Sequence, residues 1–435
     1  MDKGQRLWRK AKMLIPGGNM LLSKRSEIFI PDLWPSYFSS AKGCFVWDLD
    51  NKKYIDMNLM GVGTNLLGYG NSEVDAAVQE NISKGNMSSL NCPEEVILAE
   101  KLIEIHPWAN MAKFTRSGGE ANAVAIRIAR AATGRDKVAI CGYHGWHDWY
   151  LAANLKSDDE LDSHLLPGLE PNGVPKSLIN SVLAFKYNDI SSLEKIVNHN
   201  KLAAVKMEVE RNFPPENDFL KKVREICDKN NIVLIFDECT SGFRETYGGL
   251  HLKYNVLPDM AIFSKALGNG YAICAIIGKN SVMEYAQSSF ISSTFWTERI
   301  GPTAALKTLE VMKKLKSWEV VTNKGKYIKK NWNHLANKHN LDINISGLSS
   351  LPNFSFKNKK ALSYKTFITQ EMLKHNILAS TACYLSIAHS EKIIDEYLNI
   401  LDNIFLKISK IDAQNKEIND FLNSGICHSG FQRLN

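Results

Sequence analysis

Short apolar segments of the chain end in polar or charged residues, and helical patterns separate them. Residues 232–236 run into Asp237 and Glu238, and residues 261–264 run into Lys265, which follows Asp237 by 28 positions. Strands alternate with helical patterns from about residue 61 to residue 310, which predicts a largely parallel sheet with helices on both faces. Because such a sheet presents its chemistry at one edge, we expect the carboxylate and the amine to meet there.

An amine and a carboxylate at neighbouring strand ends suit pyridoxal 5'-phosphate (PLP). Lys265 would hold the aldehyde as a Schiff base, and Asp237 would keep the pyridine nitrogen protonated. Taken singly, each residue has a plainer interpretation. Lys265 fits a surface lysine, and the Asp237–Glu238 pair fits a magnesium site or a helix cap. The choice between a PLP site and these plainer interpretations therefore depends on the remaining parts of a cofactor site.

A phosphate-binding loop is the strongest of those parts. Ser117, Gly118 and Gly119 precede an alanine-rich run, residues 121–132, which stops at Gly134. This pattern predicts a helix with a glycine stop, and free N–H groups at its start favour an anion. An ordinary serine cap is the alternative. The next predicted strand, residues 137–141, leads to Tyr143, which would either stack on a pyridine ring or pack in the core.

The order of phosphate loop, aromatic residue, acidic strand and lysine resembles the class III aminotransferases of PLP fold type I. Within them the chain is most similar to the branch that contains glutamate-1-semialdehyde 2,1-aminomutase, from about residue 11 to about residue 400. The resemblance implies an α/β fold with a large, mainly parallel sheet domain flanked by helices and a smaller α+β domain. The expected parts are an N-terminal segment at the active-site entrance (1–60), the PLP domain (61–310) and a C-terminal small domain (311–435).

The resemblance also implies roles for individual residues. Lys265, Asp237 and Tyr143 would be catalytic. Thr294 would reach the phosphate of a neighbouring subunit, so the implied enzyme is a homodimer with shared active sites. The implied cofactor-binding residues are Ser117, Gly118, Gly119, Tyr143, His144, Glu208, Asp237, Cys239, Lys265 and Thr294.

Departures from the family pattern fall on the substrate side. Gly119 replaces the threonine of the family phosphate loop, and residues 19–25 lack a clear equivalent of the serine and arginine that hold the aminomutase substrate. We therefore expect Arg116 or Arg299 to bind an anionic substrate group, or else to pair with Glu120 or Glu298 and shape the loop. Aromatic and imidazole side chains around Trp146 suggest a carbohydrate-derived substrate, with an aromatic dimer interface as the alternative.

The expected activity is amino transfer from a small-molecule amino donor to a keto or aldehyde acceptor, with pyridoxamine 5'-phosphate as the intermediate form of the cofactor. Synthesis of a surface polysaccharide is one setting for a carbohydrate-derived acceptor. An intramolecular aminomutase is the alternative, since it would use the same cofactor site. A PLP-binding protein that has lost turnover and acts through interaction is a third hypothesis.

Composition narrows the setting of this chemistry. The net charge of +7 is modest for 435 residues, and the basic stretch 313–338 reads as an amphipathic helix instead of a nucleic-acid or membrane surface. The eight cysteines form no C-x-x-C pair, which favours free thiols in a reducing cytoplasm over a disulfide frame or a metal site. Neither an apolar export segment at the start nor a membrane-spanning run is expected.

Local patterns predict a few further elements outside the main sheet. They are a hairpin at residues 50–53, a long helix over 307–339, a strand at 353–356, and helices over 364–375 and 391–408. Residues 427–435 receive no assignment.

Overall fold

The computed structural model describes residues 2–157, 159–162, 164, 167–432 and 434. The chain divides into two compact units, Ser72–Trp318 and a second one that combines Met1–Asn71 with Glu319–Asn435. The expected domain limits at residues 60 and 310 remain a prediction. In the unassigned tail, Arg433 and Asn435 lie outside the described residues.

The α-helices, in chain order, are α1 (Lys3–Leu14), α2 (Met60–Gly63), α3 (Ser72–Ile82), α4 (Pro93–Ile105), α5 (Gly118–Thr133), α6 (Asp148–Leu151), α7 (Ile190–His199), α8 (Phe219–Asn230), α9 (His251–Tyr254), α10 (Asn280–Met283), α11 (Ile300–Leu315), α12 (Ser317–Lys338), α13 (Ala361–Lys374) and α14 (Glu391–Ala413). The strands are β1 (Phe38–Lys42), β2 (Phe45–Asp48), β3 (Lys53–Asp56), β4 (Met111–Thr115), β5 (Lys137–Cys141), β6 (Val182–Ala184), β7 (Leu202–Glu208), β8 (Val233–Glu238), β9 (Met260–Phe263), β10 (Cys274–Gly278), β11 (Ile343–Ser346), β12 (Asn353–Phe356) and β13 (Ile377–Leu378). Within the described ranges, no helix is both long and apolar enough to cross a membrane.

The unit Ser72–Trp318 contains a seven-stranded sheet in the order β4-β10-β9-β8-β7-β5-β6. Strands β5 to β9 pair in parallel, and only β10 runs against both of its neighbours. Because their side chains are buried on both faces, β7 and β8 are almost continuously apolar. Helix α5 packs across β4, β7, β8, β9 and β10, and α8 packs on β8. The predicted α/β architecture with a largely parallel sheet is confirmed.

The other unit contains a four-stranded sheet, β1-β2-β3-β13, and the two-stranded sheet β11-β12. The predicted hairpin at residues 50–53 joins β2 to β3, and Asn51 adopts the left-handed conformation that a tight turn favours. Helix α14 lines its core with Leu401, Phe405 and Ile408 and packs on α13. The predicted strand at 353–356 and the two predicted helices after it are confirmed, with α14 ending later than expected.

The single helix expected over 307–339 is wrong. Two helices occupy this stretch, because Lys316 between α11 and α12 takes a left-handed conformation (φ 46°). A lysine bears a steric penalty there, so tertiary packing has to hold the break. The spacing of charged residues along the sequence does not predict this break between α11 and α12.

Candidate active site

The ends of three neighbouring strands bring the predicted catalytic residues together. In the parallel register Glu208 of β7 lies opposite Asp237 of β8, and Asp237 lies opposite Ile262 of β9. Lys265 follows β9 after one intervening residue and adopts a left-handed conformation, with φ of 46°. A non-glycine residue in this conformation is a strained position that the surrounding structure has to hold, as is common at functional sites.

The Lys265 amine lies in an environment that disfavours its charge. Its Nζ donates a hydrogen bond to the Thr240 hydroxyl at 2.7 Å. Burial, helped by the nearby charges of Arg211 and Arg244, lowers the pKa of Lys265 to about 8. Such a pKa gives Lys265 a much larger neutral fraction near neutral pH than an ordinary lysine has, which a nucleophile and general base requires.

Asp237 is buried and ionised. Its Oδ2 accepts a hydrogen bond from His144 Nδ1 at 2.9 Å and lies 3.2 Å from Lys206 Nζ, while Oδ1 accepts the Cys239 N–H at 3.1 Å. Burial opposes ionisation, but the Lys206 ammonium and the His144 hydrogen bond hold the pKa of Asp237 well below its usual range. Burial and the Lys206 charge lower the pKa of His144, so the ring is neutral and donates its Nδ1 proton.

Helix α5 begins with the predicted phosphate loop. Ser117 is its N-cap and forms a capping box with Glu120, whose carboxylate accepts the Ser117 N–H at 2.8 Å. The amides of Gly118 and Gly119 belong to the first turn, which has no intrahelical acceptors for its N–H groups. Together with the helix dipole, this turn suits a phosphate.

The space beside Gly119 explains why this position holds a glycine and not the threonine of the family phosphate loop. A Cβ at this position would lie 2.7 Å from His147 Cε1 and 2.9 Å from His147 Nδ1, closer than side chains approach. The imidazole therefore fills the space that the family threonine would use. His147 Nδ1 is buried and has no hydrogen-bond partner among the described residues. It can supply the polar contact that the lost hydroxyl would have made.

Tyr143 and Glu208 form the next part of the site. Glu208 Oε2 accepts the Tyr143 N–H at 3.1 Å and a hydrogen bond from Arg211 Nη1 at 2.9 Å. Gly142 has φ of 116°, and a Cβ there would lie 2.6 Å from Glu208 Oε2, so only glycine allows this approach. Tyr143 packs against the main core cluster, as does Cys239. Their expected positions on opposite faces of the cofactor ring remain predictions.

These residues fit PLP on structural grounds. The lysine with a depressed pKa suits the aldehyde, and the buried ionised carboxylate suits the pyridine nitrogen. The first-turn amides of Gly118 and Gly119 suit the phosphate. The individual roles assigned to Lys265, Asp237, Tyr143 and the loop residues remain predictions about function.

The two arginines expected to bind substrate are already paired within the chain. Arg116 Nε lies 2.7 Å from Glu298 Oε1, and its Nη2 donates to the main-chain oxygens of Trp296 and Glu298. Arg299 Nη2 donates to Glu94 Oε1 at 2.6 Å. These contacts favour the interpretation that both arginines shape their loops, so we do not propose them as substrate ligands.

Thr294 and Trp146 lie at the surface of the unit Ser72–Trp318. Thr294 begins the short 3₁₀ turn Thr294–Thr297 and is exposed. Trp146 is 69% exposed and stacks on His147, with ring centroids 4.4 Å apart. Among the described hydrogen bonds, none joins either residue to the phosphate loop in the single chain, although Trp146 Nε1 would lie 3.5 Å from a Cβ at Gly119. Their predicted roles depend on a second subunit or a substrate.

Sequence reasoning missed Lys206 and Arg211, and it placed His147 among the imidazoles near the cofactor ring without expecting it beside Gly119. Lys206 is a charged residue inside an otherwise apolar strand, two positions before Glu208, and that spacing places both on one face. This signal was available. His147 and Arg211 lie in connecting segments, where the sequence does not indicate the direction in which a side chain projects.

Comparisons with known proteins identify the family of this chain. The family model described as "Aminotransferase class-III" matches residues 33–395. The 3-aminobutyryl-CoA aminotransferase of Cloacimonas acidaminovorans is 34% identical over 393 residues, which cover 87% of this chain and 90% of that protein. The glutamate-1-semialdehyde 2,1-aminomutase of Methanocaldococcus jannaschii is 31% identical over 432 residues, with 93% and 98% covered.

A solved structure extends the likeness to the fold. The FumI protein of Sphingopyxis sp. MTA144, solved in a PLP form, has a TM-score of 0.84 and 25% identity, and covers 94% of this chain and 97% of its own. Sequence, fold and site geometry lead to one assignment. The chain belongs to the class III aminotransferase family and is a PLP-dependent enzyme.

Proposed function

We propose that this enzyme moves an amino group from a small-molecule amino donor to a separate keto or aldehyde acceptor. The observation that carries the proposal is the Lys265 amine, with a pKa of about 8, at the strand edge that also holds the buried, ionised Asp237. An amine whose pKa lies this close to physiological pH can both hold an aldehyde and move a proton.

Each part of the site has one task in this reaction. When bound, PLP supplies an electron sink for the bond that breaks at the donor's amino carbon. Lys265 takes the proton from that carbon and returns it one position away, on the cofactor side. Asp237 keeps the pyridine nitrogen protonated, and Tyr143 and Cys239 confine the ring. The first turn of α5, with His147 beside it, holds the phosphate.

Transfer between two molecules is favoured over an intramolecular shift. The arginine in the segment expected to hold an aminomutase substrate, Arg25, donates through Nη1 to the main-chain oxygen of Gln432 at 2.8 Å and lies over the Phe431 ring. Because Arg25 is bound to the C-terminal tail of the same chain, it supports the view that the substrate-binding arginine of the aminomutase has no equivalent here. The similarity to a 3-aminobutyryl-CoA aminotransferase also supports transfer. An aminomutase is the alternative.

A cavity lined by Arg211 supports an anionic substrate group. This cavity of about 400 Å³ is lined by Glu208, Arg211, Lys186 and Phe213, among others. The charge of Arg211 also helps to lower the pKa of Lys265, so this guanidinium is electrostatically linked to the reacting amine. Arg211 is held by Glu208, with Nη1 2.7 Å from Oε1. A guanidinium oriented in this way can bind a carboxylate or phosphate of the donor or acceptor.

The acceptor is proposed to be carbohydrate-derived, as in surface polysaccharide synthesis. Trp146 supports this idea, because it offers an exposed ring face that is already stiffened by stacking on His147. The same exposed ring would also suit a subunit interface, and the substrate screen below separates the two.

The functional unit is proposed to be a homodimer that shares its active sites. Large apolar side chains are exposed around Thr294: Phe290 by 90%, Phe295 by 70% and Leu90 by 82%. The two segments adjoin, since the Arg299 N–H donates to the main-chain oxygen of Asn86. An apolar surface of this kind is typical of an interface between subunits. The eight free thiols support a reducing cytoplasm as the compartment.

The test is a screen of amino donors and carbonyl acceptors with the PLP-loaded enzyme. Each donor is first added alone, and conversion of the cofactor to pyridoxamine 5'-phosphate is followed by absorbance. Acceptors are then added and products are identified by mass spectrometry, with sugar-derived and simple ketones as parallel sets. Lys265→Ala is the control. Two different products support transfer, a rearranged single substrate supports the aminomutase, and no conversion with any donor contradicts both.

The shared site has its own test. Lys265→Ala and Thr294→Ala chains, each weakly active alone, are mixed under conditions in which subunit exchange is verified. In a hybrid dimer one site carries both defects and the other carries neither. Recovered activity supports the shared site, and an inactive mixture of exchanged subunits refutes it.

A further inference from the structure

Lys206 is a charged side chain in the interior of the sheet. It lies near the end of β7, every residue of which is buried, and its own exposure is 0%. Its neighbours in register are Ile140 of β5 and Ile235 of β8. A lysine among aliphatic residues is unfavourable unless its charge is compensated by a partner.

The compensating partner is Asp237. Lys206 Nζ lies 3.2 Å from Asp237 Oδ2 and has no hydrogen-bond partner among the described residues. Side chains two positions apart on a strand share a face, so Lys206 projects on the same side of the sheet as Glu208. Its ammonium therefore reaches diagonally across to the carboxylate of Asp237 at the end of the adjacent strand β8.

The remaining ionisable groups around this pair do not replace its charges. Burial lowers the pKa of His144, which is neutral and donates to Asp237. Burial and the Asp237 charge raise the pKa of the Cys239 thiol, and burial raises the pKa of Tyr143, so both are neutral. Glu208 is held by Arg211. The group that faces the pyridine nitrogen is thus a neutral ion pair instead of a lone carboxylate.

We propose that Lys206 is a positioning residue that acts through Asp237 and weakens the hold of this carboxylate on the proton of the pyridine nitrogen. The inference rests on the proposed function, in which Asp237 pairs with that nitrogen. A carboxylate shared with an ammonium attracts a second cation less strongly than a carboxylate alone. The cofactor in this enzyme therefore carries a more readily lost pyridine proton than a lone aspartate would give it.

The size of the effect follows from Coulomb's law. A unit charge about 5 Å away, at an effective dielectric constant of about 20, changes a pKa by about 2. Removing the Lys206 charge should therefore raise the pKa of the pyridine nitrogen by about this amount.

The experiment uses the holoenzyme loaded with PLP that carries ¹⁵N in the ring. The ¹⁵N chemical shift reports protonation of the nitrogen directly and is followed against pH in the wild type, Lys206→Met and Lys206→Arg. Lys137→Met is the matched control, because Lys137 begins β5 in the same sheet and donates to Asn200 Oδ1 instead. We expect the higher pKa in Lys206→Met alone. An unchanged nitrogen pKa in Lys206→Met overturns the inference. A rise in Lys206→Met that is absent from Lys206→Arg comes from the lost charge and not from lost packing.

Lys206→Gln is the second variant if Lys206→Met does not fold, because it also removes the charge and keeps a polar side chain. Its pyridine nitrogen should show the same rise in pKa of about 2. A nitrogen pKa equal to that of the wild type overturns the inference. A wild-type chain that binds no PLP refutes the proposed function and the inference with it, whereas bound PLP with an insensitive nitrogen refutes the inference alone.

Discussion

Replacing Gly119 by alanine should weaken PLP binding through His147. The new methyl carbon would lie 2.7 Å from His147 Cε1, roughly 0.7 Å short of an ordinary contact, and the ring has to move away from the helix start. Overpacking of this kind costs about 1–3 kcal/mol. If that cost falls on the cofactor-bound state, the dissociation constant for PLP rises by about 5- to 150-fold.

A double-mutant cycle isolates the His147 contact from other effects of the methyl group. PLP dissociation constants are measured by absorbance titration of apo wild type, Gly119→Ala, His147→Ala and the double variant. In the His147→Ala background the methyl group meets no ring, so Gly119→Ala should then have little further effect. His147→Ala alone should weaken binding, because it removes the contact that stands in for the family threonine. Additive losses across the cycle would refute this account of the loop.

Three further predictions concern the lysine and the paired arginine. Lys265→Ala should still bind PLP but form no borohydride-reducible linkage, and it should lose at least ~10³-fold in rate, measured in the amino-donor assay. The rate at which apo enzyme links PLP covalently should rise with pH through about 8 and then level off, because the neutral amine is the nucleophile and the pKa of Lys265 is about 8; a rate that levels off only near the pKa of an ordinary lysine would contradict this. Arg116→Lys should lose the planar contacts to Glu298 and to two main-chain oxygens. Rates with anionic and neutral amines should therefore fall alike, whereas a selective loss of about 1.5–3 kcal/mol for the anionic substrate would make Arg116 a substrate ligand after all.

Much of the catalytic edge was predictable from sequence because strand ends carry their own signal. Apolar runs that stop at Asp237 and Lys265, and a serine–glycine turn before an alanine-rich helix, are local patterns. A parallel sheet brings the carboxyl ends of its strands to one edge, so chain order alone implied that these residues meet. The helix stop at Gly134 was likewise local, since its left-handed conformation favours glycine.

Tertiary structure alone decided which partner each side chain found. Nothing in the sequence near Arg116 indicates that its guanidinium reaches Glu298, a residue 182 positions away. The loss of the loop threonine became intelligible only when His147 was found in the space above Gly119. Lys206 was visible as an odd residue in an apolar strand, but its place beside Asp237 depends on the register between β7 and β8. Patterns of a few residues fix strands, helices and turns, whereas charge pairing depends on distances that only the packed chain sets.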